Sequence, residues 1–79
     1  MESGSKIILL KLFGQNLKRV RREKGLSYRR LAQLCDVDHS QIAKIEKGLI
    51  SIQITTLFEL ARGLGVDPRE LLNFHICFE

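Results

Sequence analysis

Tryptophan is absent from this sequence of 79 residues, and phenylalanine and tyrosine together supply only 6% of it. A core with so few rings must be aliphatic, and the many leucine, isoleucine and valine residues recur at helical spacing. A chain of this length with 44% hydrophobic residues can form one compact core. We therefore expect a single all-α domain built as a small helical bundle.

Cysteine is scarce, and long apolar runs are missing. Two cysteines are too few for a disulfide scaffold, and no leader pattern precedes them, so we expect free thiols and a cytoplasmic location. The apolar run at 7–10 is far shorter than the roughly 20 residues that a membrane span requires. A zinc site would need unusual spacing of its four candidate ligands, and we expect no metal at Cys35, His39, His75 and Cys77.

The sequence also lacks the patterns that carry catalysis. It contains no recognisable nucleophile with a base, no pair of pocket carboxylates and no glycine-rich phosphate loop. We therefore expect no catalytic residue, no cofactor and no small-molecule ligand.

Positive charge is concentrated in the first half of the chain. The net charge is +4, but the stretch 18–30 alone carries seven basic residues against Glu23, a net of +6. After Gly48 acidic residues outnumber basic ones. A polyanion is expected to bind the basic half.

Apolar periodicity and capping residues predict five helices. Ser27, Asp38 and Asp67 are good N-caps, and Pro68 stands at the first position of the last helix. Gly14 weakens the first helix, so the stretch before it is expected either to continue the helix or to form a separate turn or strand. The predicted helices are 7–25, 28–35, 39–47, 54–64 and 68–73, within a domain at 6–73 that is followed by an apolar tail at 74–79.

The second and third predicted helices are short and joined by about three residues, which is the spacing of a helix-turn-helix. The third helix has few apolar residues, so a polar face remains with nothing to bury. Base edges in a DNA major groove require hydrogen-bond donors and acceptors, and this helix supplies both on His39, Ser40, Gln41 and Lys44.

These residues belong to a longer pattern: Leu26-Ser27, Leu31-Ala32, Val37-Asp38, Ile42, Lys44-Ile45-Glu46-Lys47-Gly48, and the apolar stretch 57–66. The pattern resembles the Xre family, the Cro and cI repressor type of helix-turn-helix, over roughly 13–72. The resemblance implies a five-helix, lambda-repressor-like fold in which helices 2 and 3 form the helix-turn-helix. Asp36 stands where the family usually has glycine, and we expect it to adopt the left-handed conformation.

The resemblance also implies roles for individual residues. His39, Ser40 and Lys44 would read bases, with Gln41 beside them. Arg21 would form a structural ion pair with Glu46. Phosphate contacts would come from the start of helix 2 and the loop after helix 3, at Tyr28, Arg29, Lys47 and Ser51.

Apolar residues outside the predicted core suggest an interface. The tail alternates apolar and polar residues, so it is expected to form a short strand or an extended segment that packs on its own core or on a second chain. The candidate dimer contacts are Leu49, Ile50, Phe74, Ile76 and Phe78.

The sequence thus predicts a transcriptional regulator that binds double-stranded DNA as a homodimer on a palindromic operator. One alternative is an antitoxin-like module that uses the same fold mainly to bind another protein. A second is a targeting domain cut from a larger enzyme.

Overall fold

The computed structural model describes residues 3–77, which form four α-helices and one short 3₁₀ helix. Helix α1 packs against α3 and the 3₁₀ helix, and α2 packs against α3 and α4. The all-α prediction is confirmed for this part of the chain. The elements are α1 (Ser3–Glu23), α2 (Tyr28–Leu34), α3 (His39–Glu46), α4 (Ile54–Leu64) and the 3₁₀ helix (Pro68–Leu72).

Helix α1 is longer than predicted and runs without a break through Gly14. The glycine is buried where α1 crosses α3, and a Cβ atom there would lie 2.5 Å from the carbonyl oxygens of Ile45 and Glu46. A side chain would therefore force the two helices apart. The glycine permits their close approach, and the separate turn or strand considered for this stretch is wrong.

The three predicted N-caps are confirmed. The hydroxyl of Ser27 accepts a hydrogen bond from the backbone N–H of Arg30 at 3.0 Å. Asp38 accepts from the N–H of Ser40 at 3.3 Å. Asp67 accepts from an N–H two residues later at 2.8 Å. Each cap satisfies a donor that the first turn of a helix leaves unpaired.

The prediction of a fifth α-helix is wrong, because residues 68–72 form a 3₁₀ helix. The N–H of Glu70 bonds to the carbonyl of Asp67 at 2.9 Å, and the N–H of Asn73 bonds to that of Glu70 at 3.3 Å, both spanning three residues. The element is only five residues long, and such short helices often adopt the tighter 3₁₀ turn. Leu71, fully buried, attaches it to the core.

The core is aliphatic, as the composition predicts. Its six largest fully buried side chains are Leu17, Leu31, Ile42, Ile45, Leu60 and Leu71. The buried amide of Asn16 donates a hydrogen bond to the carbonyl of Glu70 at 2.8 Å, which ties α1 to the 3₁₀ helix. None of the described helices has the length and apolar character to cross a membrane.

Candidate nucleic-acid interface

Residues 35–38 connect α2 to α3, and a carboxylate of α4 holds this turn. The backbone N–H of Asp36 donates to Oε1 of Glu59 at 2.9 Å. Arg62 also donates two hydrogen bonds to Glu59, and these are the main cause that lowers the pKa of Glu59 to about 2. Within residues 3–77 only glycines have positive φ, so the left-handed conformation expected of Asp36 is wrong.

Helix α3 has one buried side and one exposed side. Ile42 and Ile45 are 0% and 1% exposed and pack into the core. Ser40, Lys44 and Lys47 are exposed and follow each other at intervals of four and three residues, which aligns them along one side of a helix. We refer to these three residues as the recognition face.

The other two residues predicted to read bases flank this face. His39 is half-buried, and its Nδ1 lies 3.6 Å from Oδ1 of Asp38. Gln41 is exposed on the opposite edge of the helix. The structure therefore brings Ser40 and Lys44 onto one face, with His39 and Gln41 on either side.

The N-terminus of α3 is organised around Asp38. One oxygen of its carboxylate accepts hydrogen bonds from both the backbone N–H and the hydroxyl of Ser40. The hydroxyl bond is the largest cause that lowers the pKa of Asp38. The carboxylate is therefore ionised at neutral pH, and it orients the hydroxyl of Ser40.

Arg21 of α1 and Glu46 of α3 form a buried ion pair. Nε of Arg21 donates to one carboxylate oxygen of Glu46 at 2.6 Å, and Nη2 donates to the other at 3.0 Å. Nη1 donates to the carbonyl of Leu26 at 2.7 Å. The two charged side chains are 8% and 1% exposed. The pair fixes α3, and with it the recognition face, against α1.

Tyr28 covers this ion pair. Its ring centroid lies 4.3 Å from Cζ of Arg21, within the range of a cation–π contact. The pKa of Arg21 is raised, chiefly by its hydrogen bonds to Glu46 and to a smaller extent by Tyr28. Sequence reasoning missed this stacking, because two residues that meet between separate helices leave no periodic signal.

The remaining residues predicted to bind phosphate are distributed around α2 and α3. Arg29 is exposed at the start of α2, and it takes part in none of the ion pairs found within residues 3–77. Lys47 is exposed at the C-terminal end of α3. Ser51 is exposed in the following loop, where it lines an apolar groove.

Part of the basic stretch is neutralised within the chain. Arg19 pairs with Glu23 at 3.0 Å, and Arg21 is buried with Glu46. Five basic residues of the stretch remain outside the ion pairs of the described region: Lys18, Arg22, Lys24, Arg29 and Arg30. Positive potential therefore remains on the surface beside the helix-turn-helix.

An apolar groove of about 330 Å³ lies between α1, the loop 50–53 and the 3₁₀ helix. Ile50 and Phe74, both predicted dimer contacts, are among the residues that line it. Leu49 precedes the lining residue Ile50 in the sequence, and it is 66% exposed. The groove and this leucine leave apolar surface uncovered.

The described part of the tail, residues 74–77, packs only partly against the core. Of the two alternatives predicted for the tail at 74–79, the short strand is wrong for the described residues 74–77, which have no regular secondary structure. The ring of Phe74 packs edge-on against Phe13, with centroids 6.4 Å apart. Ile76 is half-buried. Phe78 lies outside the described residues.

The two cysteines lie in different surroundings. Cys35 is buried, its Sγ donates to the carbonyl of Leu31 at 3.3 Å, and burial raises its pKa. Cys77 is exposed beside His75, with Nε2 and Sγ 3.3 Å apart. Residues 3–77 contain no cluster of three or more side chains arranged to hold a metal ion.

Comparison with known proteins gives one consistent result. A family model described as helix-turn-helix matches residues 17–71. The chain is 34% identical over 64 residues to control protein C.BamHI of Bacillus amyloliquefaciens, a match that covers 80% of this chain and 79% of that protein. It is 37% identical over 63 residues to the uncharacterised HTH-type transcriptional regulator y4dJ of Sinorhizobium fredii, covering 80% and 82% of the two sequences.

A solved structure extends the comparison to the fold. The restriction-modification controller protein C.AhdI from Aeromonas hydrophila superposes with a TM-score of 0.80 at 37% identity, over 82% of this chain and 94% of that one. The relatives are regulators and control proteins rather than enzymes. With the family model matching most of the chain, the protein belongs to the Xre/Cro-type helix-turn-helix family and is a DNA-binding regulator of transcription.

Proposed function

We propose that the chain binds a specific duplex DNA site by inserting α3 into the major groove, as a dimer on a palindromic operator. The observation that carries the proposal is the recognition face, where three exposed polar side chains stand opposite the buried Ile42 and Ile45. The major groove, about 12 Å wide, accepts one helix with its side chains. The proposal calls for no cofactor, and it implies a cytoplasmic location.

Base reading is assigned to four residues of α3. Lys44 is a pure donor and matches the O6 and N7 acceptors of guanine. Gln41 suits adenine, because its amide can donate to N7 and accept from N6. Ser40 and His39 stand one turn before Lys44, where the N-terminal end of a recognition helix meets base edges.

Phosphate contacts are assigned to Arg29 and Lys47 first, because both are exposed and outside the ion pairs described above. Ser51 contributes a hydroxyl from the loop. Tyr28 stacks on Arg21, so any phosphate contact it makes comes from its hydroxyl alone. Such contacts position the protein without reading sequence.

Dimerisation is proposed through the apolar groove and the loop after α3, with Leu49, Ile50, Phe74, Ile76 and Phe78 as contacts. Leu49 and several other large apolar side chains are more than half exposed: Ile7, Ile8, Ile54, Phe58 and Leu72. Of these, Ile54 and Leu72 line the groove. A two-fold dimer presents its two recognition helices to half-sites about one helical turn apart.

Two relatives are matched over most of their own length, and this favours a narrower role. The chain matches 79% of C.BamHI, named a control protein, and 94% of C.AhdI, named a restriction-modification controller. We therefore propose that it regulates restriction-modification genes. Its selected DNA site should then occur upstream of such genes in the source genome, and a site found only elsewhere would contradict this narrower role.

Selection of bound DNA from a random duplex library tests the main proposal. We expect enrichment of an inverted repeat with half-sites about 10 base pairs apart, centre to centre. A Ser40→Ala/Lys44→Ala variant is the matched control, because both residues are exposed and their loss leaves the core intact. It should fold normally and enrich no site. If the unmodified chain enriches no sequence, DNA reading by α3 is refuted.

A further inference from the structure

We propose that Ser40 contacts DNA only as a hydrogen-bond acceptor and so selects a base with an exocyclic amino group, adenine or cytosine. This inference rests on the proposed function, because it assumes that α3 lies in the major groove. It adds the chemical class of base that one position of the recognition face accepts.

The proton of the Ser40 hydroxyl already takes part in a hydrogen bond within the chain. A serine hydroxyl has one proton to donate and two lone pairs that accept. In this structure it donates to the carboxylate of Asp38. A hydrogen bond to an ionised acceptor is roughly twice as strong as one between neutral groups, so a base carbonyl or ring nitrogen does not compete for this proton.

The carboxylate that takes the proton is itself held in place. The same oxygen accepts the backbone N–H of Ser40 at 3.3 Å, and this bond caps α3. The other oxygen lies 3.6 Å from Nδ1 of His39. Rotating the carboxylate away from the hydroxyl would also break the cap, because the same oxygen accepts both hydrogen bonds. The lowered pKa of Asp38 keeps the group ionised.

Only two groups in the major groove donate hydrogen bonds: N6 of adenine and N4 of cytosine. Guanine and thymine present acceptors there, which an acceptor-only serine does not bind. Ser40 thus determines which strand carries the amino base at its position. Lys44, one turn later, has the opposite polarity, since it only donates.

Base analogues in the selected duplex test this assignment. Purine in place of adenine, or 2-pyrimidinone in place of cytosine, removes the amino group at one position at a time. At one position we expect the analogue to weaken binding of the unmodified chain about five-fold, the effect of one lost hydrogen bond. At that position Ser40→Ala should bind the two duplexes equally.

Analogues that remove or weaken a hydrogen-bond acceptor of a base test the opposite assignment, in which Ser40 donates to DNA. Substitution by 7-deazapurines removes N7, and 4-thiothymine weakens the O4 acceptor. If Ser40→Ala abolishes the effect of one of these analogues instead, Ser40 donates to DNA and the inference is wrong. It is also wrong if a site is enriched but no analogue couples to Ser40. If no site is enriched at all, the proposed function fails first and takes this inference with it.

Asp38→Ser tests the positioning role of the carboxylate. Serine remains a good N-cap, so the helix should be preserved, which circular dichroism will verify. The Ser40 hydroxyl is then released to donate as well as accept. We expect the penalty for deleting the amino group to fall from about five-fold to about two-fold. An unchanged penalty in a folded Asp38→Ser variant would overturn the inference, and if that variant does not fold the Ser40→Ala series decides alone.

Discussion

The buried pair of Arg21 and Glu46 provides the strongest test of how α3 is held. Replacing Arg21 by alanine removes all three of its hydrogen bonds and leaves the Glu46 carboxylate, 1% exposed, without its partner. An orphaned buried charge of this kind costs about 3–5 kcal/mol. The free energy of unfolding of a domain this size is roughly 4–12 kcal/mol, so the loss is a large share of it.

Urea denaturation, followed by circular dichroism and extrapolated linearly to water, measures this loss. In a thermal melt it corresponds to a fall of at least about 12 °C in Tm. Arg19→Ala is the matched control: the same substitution in the same helix breaks an ion pair with Glu23 that is 44% and 61% exposed on its two side chains. Arg19 also donates two hydrogen bonds to Oδ1 of Asn16, at 3.2 and 2.9 Å. An exposed ion pair contributes about 0.2–1 kcal/mol and a hydrogen bond about 1 kcal/mol, so this variant should lose clearly less stability than Arg21→Ala.

A double-mutant cycle made of Arg21→Met, Glu46→Leu and their combination completes the test. The combination Arg21→Met/Glu46→Leu removes both charges, and we expect it to recover most of the stability lost in Arg21→Ala, because apolar replacements of a buried pair are often neutral. The reasoning is refuted if Arg21→Ala costs no more than Arg19→Ala, or if the cycle gives no coupling between the two positions.

Three further predictions concern packing, acid stability and association. Gly14→Ala should destabilise the fold by about 1–3 kcal/mol, because its Cβ would strike the backbone of α3; higher stability in urea would contradict this. The pKa of Glu59 is lowered from 4.5 to about 2, so its stabilising effect is present above pH 4.5 and lost as pH falls towards 2. Acid titrations should therefore give a flatter stability curve for Glu59→Gln over this interval, and an identical slope would count against it. The unmodified chain should sediment as the proposed dimer and Leu49→Lys as a folded monomer, and a dimer that persists in the variant would exclude Leu49 from the interface.

The local features of the fold were predictable from sequence. N-caps such as Ser27 and Asp38 act on their own helix within three residues, so the residue type and its position are sufficient to identify them. The apolar period likewise predicted which side of α3 is buried. The Xre resemblance supplied the pairing of Arg21 with Glu46, which lie 25 residues apart.

Features that depend on contacts between helices were not predictable. The sequence predicts that Gly14 weakens α1, because helix propensity describes a residue in isolation. In the fold, a glycine is needed at this position because the backbone of α3 lies directly opposite it. The hydrogen bond from Asp36 to Glu59 spans 23 residues and has no local pattern. The capping and proline signals at Asp67 and Pro68 predicted where the last helix begins, but not that it forms 3₁₀ hydrogen bonds.

The most direct test of α3 as the reading element is the affinity of Lys44→Ala and Arg29→Ala for the selected duplex and for a scrambled duplex, measured across a salt series. Lys44→Ala should lose about 1–3 kcal/mol on the selected duplex only, because it removes a base contact. Arg29→Ala should weaken binding to both duplexes equally and reduce the salt slope by about one unit, because it removes a phosphate contact. If Lys44→Ala weakens both duplexes equally while Arg29→Ala changes which duplex is preferred, the recognition face is not the surface that reads DNA.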